Sequence, residues 1–208
     1  MLNKKNIIIA IVIVAAIIGL FFFLKWQEPE EFPPTNNNQA TMTPQAIETL
    51  YDSYLAQGIK YKGEGEAGAK EAYQKAIDQF KKAVDISGGK IWIPYLNLAN
   101  TYRSMGDNKL ADENYNKALE ISGGDASIYF AKIDFYRYGL KKEKDEIKNL
   151  YKEALAKAYE NSNLVMSYAA FLRDSGDYEE SLKYYEALLK SYPDNENIKE
   201  QIRLLKLK

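Results

Sequence analysis

The string Ile-Ser-Gly-Gly occurs at residues 86–89 and again at residues 121–124, 35 residues later. Each copy closes a stretch of the same grammar, FKKAVD before the first and YNKALE before the second. Recurrence at this interval marks a repeat architecture. One supersecondary unit that cannot bury its own apolar face is stacked on copies of itself until a continuous core forms.

The unit reads most clearly in residues 92–125. Tyr95, Leu98, Ala99 and Tyr102 make one helical stripe, and Met105-Gly106-Asp107 interrupts it. Leu110, Ala111, Tyr115, Ala118, Leu119 and Ile121 make a second stripe, which Gly123-Gly124 ends. Glycine accepts the left-handed conformation that follows a helix C-terminus. Residues 162–195 repeat the plan with Val165, Tyr168, Ala169 and Leu172, the turn Ser175-Gly176-Asp177, then Ser181, Leu182, Tyr185 and Leu188. There Pro193 replaces the glycine stop. In residues 126–161, Tyr129, Ile133 and Tyr136 precede Gly139, and Ile147, Tyr151 and Ala154 follow. This unit carries about two extra residues around residues 141–144. In residues 44–91, Ala76, Phe80 and Ala83 mark the second helix. The first is expected from Ala46 to about Lys62, opened by Thr43 as N-cap and Pro44 at the first helical position. Its turn is expected to be expanded over residues 63–68. Residues 196–208 read as a closing helix whose Ile198, Ile202 and Leu205 cover the last unit.

Helix, tight turn, helix and stop, with aromatics, small residues and a late proline at these places over about 34 residues, resembles the tetratricopeptide repeat family. Residues 92–125 and 162–195 carry the likeness best, 126–161 more weakly, and 44–91 in the second half alone. The resemblance implies an all-α solenoid of about four helical hairpins with a capping helix. It also implies that the first helices line a concave surface on which a partner segment lies.

Residues 7–24, IIIAIVIVAAIIGLFFFL, hold neither a charge nor a hydroxyl. A helix of this length spans roughly 27 Å, close to a bilayer's hydrocarbon core. Lys4 and Lys5 precede it, and Lys25, Trp26, Glu28, Glu30 and Glu31 follow. The positive-inside rule therefore places residues 1–6 in the cytoplasm and the repeats outside it. A cleaved signal peptide is the alternative, but its apolar region would be shorter and would end in small residues. Residues 25–43, with three prolines and three consecutive asparagines, read as a flexible tether.

Composition narrows the chemistry. A 46% hydrophobic, 27% charged chain of net charge −1 has the makings of a core and lacks the basic balance of a nucleic-acid binder. It has neither His nor Cys, which removes the commonest general base, the commonest zinc ligands and thiol chemistry. No cofactor, metal or catalytic residue is expected. The string of residues 63–68 matches G-x-G-x-x-G, but its flanks are helical and Glu64 and Glu66 would repel a pyrophosphate.

Arginine is the informative residue type. Of 28 basic residues, four are arginine. Arg103, Arg137 and Arg173 each follow by one residue the last core position of a first helix, Tyr102, Tyr136 and Leu172. They form a candidate ladder on the inner wall, where a guanidinium's planar fork suits a carboxylate. Asn97, Asn100 and Asp134 fall on the same wall by helical spacing. The expected occupant is a protein or peptide segment bearing acidic groups or a C-terminal carboxylate. Two alternatives stay open for these residues. Arg103 and Asp107 stand four apart, as do Arg173 and Asp177, so each arginine could simply pair with its turn, and the asparagines could be solvated. Among functions, the expectation is a membrane-anchored, non-catalytic scaffold, with roles in envelope assembly or secretion by resemblance to anchored repeat proteins of bacterial envelopes. A glycan or cell-wall binder using tyrosines and Trp92 is one rival, and a carboxylate-based hydrolase is another.

Overall fold

Thr43 starts the first helix as its sequence predicts. Its hydroxyl accepts a hydrogen bond from the Ala46 N–H at 3.3 Å, and Pro44 stands at the start of the helix. The computed structural model describes residues 42–158 and 160–208. Within them the helices are α1 (Pro44–Glu66), α2 (Glu71–Ile86), α3 (Trp92–Met105), α4 (Asn108–Ser122), α5 (Ala126–Asp134), α6 (Lys144–Lys157), α7 (Ser162–Asp174), α8 (Tyr178–Ser191) and α9 (Glu196–Leu205), with one π-helical turn, Phe135–Gly139, continuing α5. Among the described residues there is no strand, and the helices pair in sequence as the hairpins of an α-solenoid.

The hairpin turns have a shared local cause. Gly106 and Gly176 both sit at φ 83°, a left-handed conformation that costs a side-chain-bearing residue roughly 1–2 kcal/mol. The residue after each glycine then donates its N–H back into the closing helix, Asp107 to the Tyr102 carbonyl and Asp177 to the Leu172 carbonyl, both at 2.9 Å. Asp107 and Asn161 cap α4 and α7 by accepting from the Leu110 and Leu164 N–H groups at 3.2 and 3.1 Å. Asn195 does the same for α9 through Ile198 at 3.1 Å.

Two expectations are corrected. The glycine-rich string does not expand the first turn. α1 runs through Glu66, and the turn lies at residues 67–70. Gly65 is buried beneath the Tyr73 ring, where a Cβ would come within 2.6 Å, so glycine serves close packing there. Lys62 and Glu66 pair along the same helix at 2.5 Å. The middle unit's extra length is also taken up differently. Part of it widens the end of α5 into the π turn, in which Leu140 N–H reaches the Phe135 carbonyl at 2.8 Å, and Lys141 (φ 50°) follows.

One core runs from Ala76 to Leu205, and residues 43–208 form one compact unit. Tyr115, Tyr151 and Tyr185 occupy equivalent places on α4, α6 and α8, all buried in a core that also holds the small residues Ala99 and Ala169. α9 buries Ile198, Ile202 and Leu205. No helix among the described residues is long and apolar enough to cross a membrane. The apolar stretch of residues 7–24 and nearly all of the tether lie outside the described residues.

Candidate functional site

The first helices of the hairpins, α1, α3, α5 with its π turn, and α7, end in a row of basic side chains. Tyr54, Gly58, Tyr61 and Lys62 of α1 take the places held on α3 by Tyr95, Ala99, Tyr102 and Arg103. Gly58 packs on Phe80, the counterpart of Tyr115, and the Tyr54 ring lies beneath Lys82. The row is therefore Lys62, Arg103, Arg137 and Arg173, one to a repeat.

Its members differ in what neutralises them. Lys62 pairs with Glu66. Arg173 donates through Nε and Nη2 to Asp174 Oδ1, at 2.9 and 2.7 Å, and through Nη1 to Gln201 of α9. Arg103 and Arg137, in the two central repeats, have no carboxylate partner among the described residues. Each is seated on an aromatic ring of the following repeat: Arg103 over Phe135 at 5.9 Å, Arg137 over Phe171 at 5.2 Å. Arg137 also lies over its neighbour Tyr138, at 5.0 Å. Behind them stand phenols. The Arg103 charge acts on the Tyr115 hydroxyl, and Arg137 Nη1 donates to the Tyr151 hydroxyl at 3.4 Å. Burial holds both phenols above their usual range against the opposing pull of the arginines, so they stay protonated. A guanidinium lying on a ring gains cation–π attraction and keeps its in-plane N–H edge for a ligand.

The other sequence-predicted residues have varied roles. Asn100 accepts from the Tyr115 hydroxyl at 2.6 Å, and Asn97 donates to the Ile93 carbonyl of its own helix at 3.0 Å, so both serve the fold. Asp134 is exposed at the end of α5, and its charge acts on both Tyr115 and Tyr151. It thus places one negative charge between two open arginines. The i to i+4 pairing of arginine with the turn aspartate is not what the structure holds. Asp107 is spent as a helix cap, and Asp177 binds Lys144 and Lys148 at 2.6 and 2.9 Å.

Sequence reasoning missed Phe135, Phe171 and Tyr138. A signal was present: Phe-x-Arg recurs at Phe135/Arg137 and Phe171/Arg173, so the ring two residues before one arginine supports the arginine of the repeat before it. Among the described residues no group of three or more His, Cys, Asp or Glu side chains is placed to hold a metal ion.

Residues 94–125 and 165–195 match the family model of the tetratricopeptide repeat. The chain carries tetratricopeptide repeats. No curated protein matches it in sequence. Among solved structures it resembles PilF of Pseudomonas aeruginosa, 19% identical over 76% of this chain and 68% of that one, with a TM-score of 0.54. It also resembles the MamA protein, 18% identical over 75% and 80%, with a TM-score of 0.53. PilW, a widely conserved type IV pilus biogenesis factor, aligns at 18% identity over 76% and 69%, with a TM-score of 0.49. At such identities the first two likenesses are of fold alone.

Proposed function

We propose that this tetratricopeptide domain is an adaptor that captures an acidic segment of a partner protein on the wall formed by its first helices. Arg103 and Arg137 are its charged contacts. The observation that carries this is the selective neutralisation of the basic row: the outer members are paired within the chain, and the central two are not. Those two are also oriented by phenylalanine and tyrosine from neighbouring elements, which lowers the entropy lost when a carboxylate is gripped. Asp134 between them repels a uniform run of acids and so sets a register. Residues 7–24 would hold the domain at a membrane with its repeats outside the cytoplasm, which suits a role in envelope assembly or secretion.

A photoreactive residue at Ser104, beside Arg103, in native membranes tests the reading. Crosslinking to a defined partner is expected, reduced at least tenfold in Arg103→Ala/Arg137→Ala and unchanged in Arg173→Ala. It should weaken steeply between low and 1 M salt, since exposed charges are screened over a few ångströms there. Capture indifferent to the double substitution would sink the proposal.

A further inference from the structure

The repeats share a second feature at the opposite end of the hairpins, where the first helix begins and the second ends. In the first three, a tyrosine of the first helix meets a long side chain of the second. Lys82 lies over the Tyr54 ring at 5.7 Å. Tyr95 and Lys117 hold the same two places in the second repeat, where Tyr95 is buried. Tyr129 donates its hydroxyl to Glu153 at 2.9 Å. In the fourth repeat the corresponding residues are Val165 and Ala187. Around them, Ser162 stands where α3 has Trp92, and Ser191 where α4 has Ile121. Relative to the second repeat, four positions have lost bulk together. The result is an open pocket of about 320 Å³ with Val165 and Ala187 in its wall and Ser162, Ser191, Glu160 and Tyr192 among its other lining groups.

We infer that this pocket is a tyrosine slot whose occupant comes from outside: the phenol side chain of a partner protein. The sister repeats show what the slot is shaped for, since each fills it with a tyrosine of its own. An apolar cavity of about 150 Å³ already takes benzene, so the volume admits one substituted ring. The polar groups suit the ring's hydroxyl. Glu160, Ser162 and Ser191 offer oxygens at the mouth, as Glu153 does for Tyr129. Tyr192, 46% exposed, offers an aromatic face for edge or offset packing. The site lies at the other end of α7 from Arg173, so it is independent of the arginine wall.

The test uses the full chain with methyl-labelled Ala and Val, titrated with N-acetyl-tyrosinamide and read by two-dimensional NMR. Saturable shifts are expected at the Ala187 and Val165 methyls, with N-acetyl-phenylalaninamide several-fold weaker and N-acetyl-alaninamide silent. Val165→Tyr supplies the missing ring and should abolish the Ala187 response while raising Tm. Ala187→Leu fills the slot from the other wall and should weaken binding at least tenfold, which keeps the test intact if Val165→Tyr fails to fold. Arg103→Ala/Arg137→Ala should bind the probe as the parent does. Absence of shifts at Ala187, or shifts that persist at full size in both filled variants, would overturn the inference.

Discussion

Lys132 occupies the place held by Leu98 and Tyr168 in the neighbouring repeats, yet it is buried and charged. Its ammonium lies 3.4 Å from Asp112 Oδ1, bonds Asn116, and sits 5.1 Å over the Tyr136 ring. Tyr136 donates to the same aspartate at 3.0 Å. Removing one partner of a buried pair is costly, whereas replacing both charges together is often tolerated. Lys132→Ala is therefore expected to cost about 2 kcal/mol, roughly 4–8 °C in Tm for a chain of this size. Lys132→Leu/Asp112→Asn, which removes both charges and keeps an acceptor for Tyr136, should stay within about 1 kcal/mol of the parent; a loss equal to that of Lys132→Ala would show that the charge pair itself is required. Gly58 makes the converse case. It stands where the sister repeats have Ala99 and Ala169, and a Cβ there would come 2.5 Å from the buried Phe80 ring. Gly58→Ala should destabilise by about 1–2 kcal/mol in urea unfolding, overpacking outweighing the better helix propensity. That glycine also explains why α1 matched the repeat pattern poorly: the Phe80 ring lies where the usual alanine methyl would stand.

Between elements, the strongest polar tie runs from α6 to the start of α8. Lys148 bonds Asp177 at 2.9 Å and Glu180 at 2.7 Å, while Lys144 bonds Asp177 and the Ser175 carbonyl. Glu180 also accepts from the Tyr168 hydroxyl at 3.3 Å. Hydrogen bonds from Lys144 and then Lys148 hold Asp177 below the usual carboxylate range, and Lys148 does the same for Glu180. Both groups bind protons more weakly folded than unfolded. Their contribution is complete above the pH at which free carboxylates ionise, about 4, and is lost as the pH falls through their lower folded values. Lys148→Ala should consequently lower Tm at pH 7 by a few degrees and by clearly less at pH 2.5; an equal loss at both would show that the side chain acts through packing alone. None of this was legible in the sequence. Hairpins, turns and caps were, because glycine, proline and aspartate act on their own neighbours. The tie joins residues some thirty apart whose charges look like any solvated face. The π turn was hidden for a related reason, since the string FYRYG reads as ordinary helix until Gly139, where a Cβ would come 2.9 Å from the Phe135 ring.

At the scale of the whole domain, each hairpin touches mainly its sequence neighbours, so stability is a sum of repeat terms and junction terms. The equivalence of Arg103, Arg137 and Arg173 could be read from the sequence, because repeat spacing sets it, whereas Lys62 was hidden in the poorly matching first unit. Which of them stay open could not, because Asp174 and Glu66 become neutralising partners, and Gln201 a hydrogen-bond acceptor, only once side chains are in place. The tyrosine slot was hidden likewise, since Val165 reads as an ordinary core residue and Ala187 as part of an exposed helix face. Junctions differ in kind. That between the second and third repeats is sealed by Asp112, Lys132 and Tyr136, and that between the third and fourth by the Lys144 and Lys148 ties and by Tyr151 stacked on Tyr168 at 5.0 Å. In a nearest-neighbour system, weakening one junction loosens what lies beyond it and leaves the far side intact. Lys144→Ala/Lys148→Ala should therefore speed amide hydrogen exchange in α7, α8 and α9 by roughly tenfold for about 1.4 kcal/mol lost, with α3 and α4 nearly unchanged. In the parent, α9 and the part of α1 before Tyr54 should already exchange early, for residues 44–53 contribute no fully buried side chain. A uniform rise in exchange across α2 to α9 would mean that the domain opens as one cooperative body, and the additive picture of its repeats would fail.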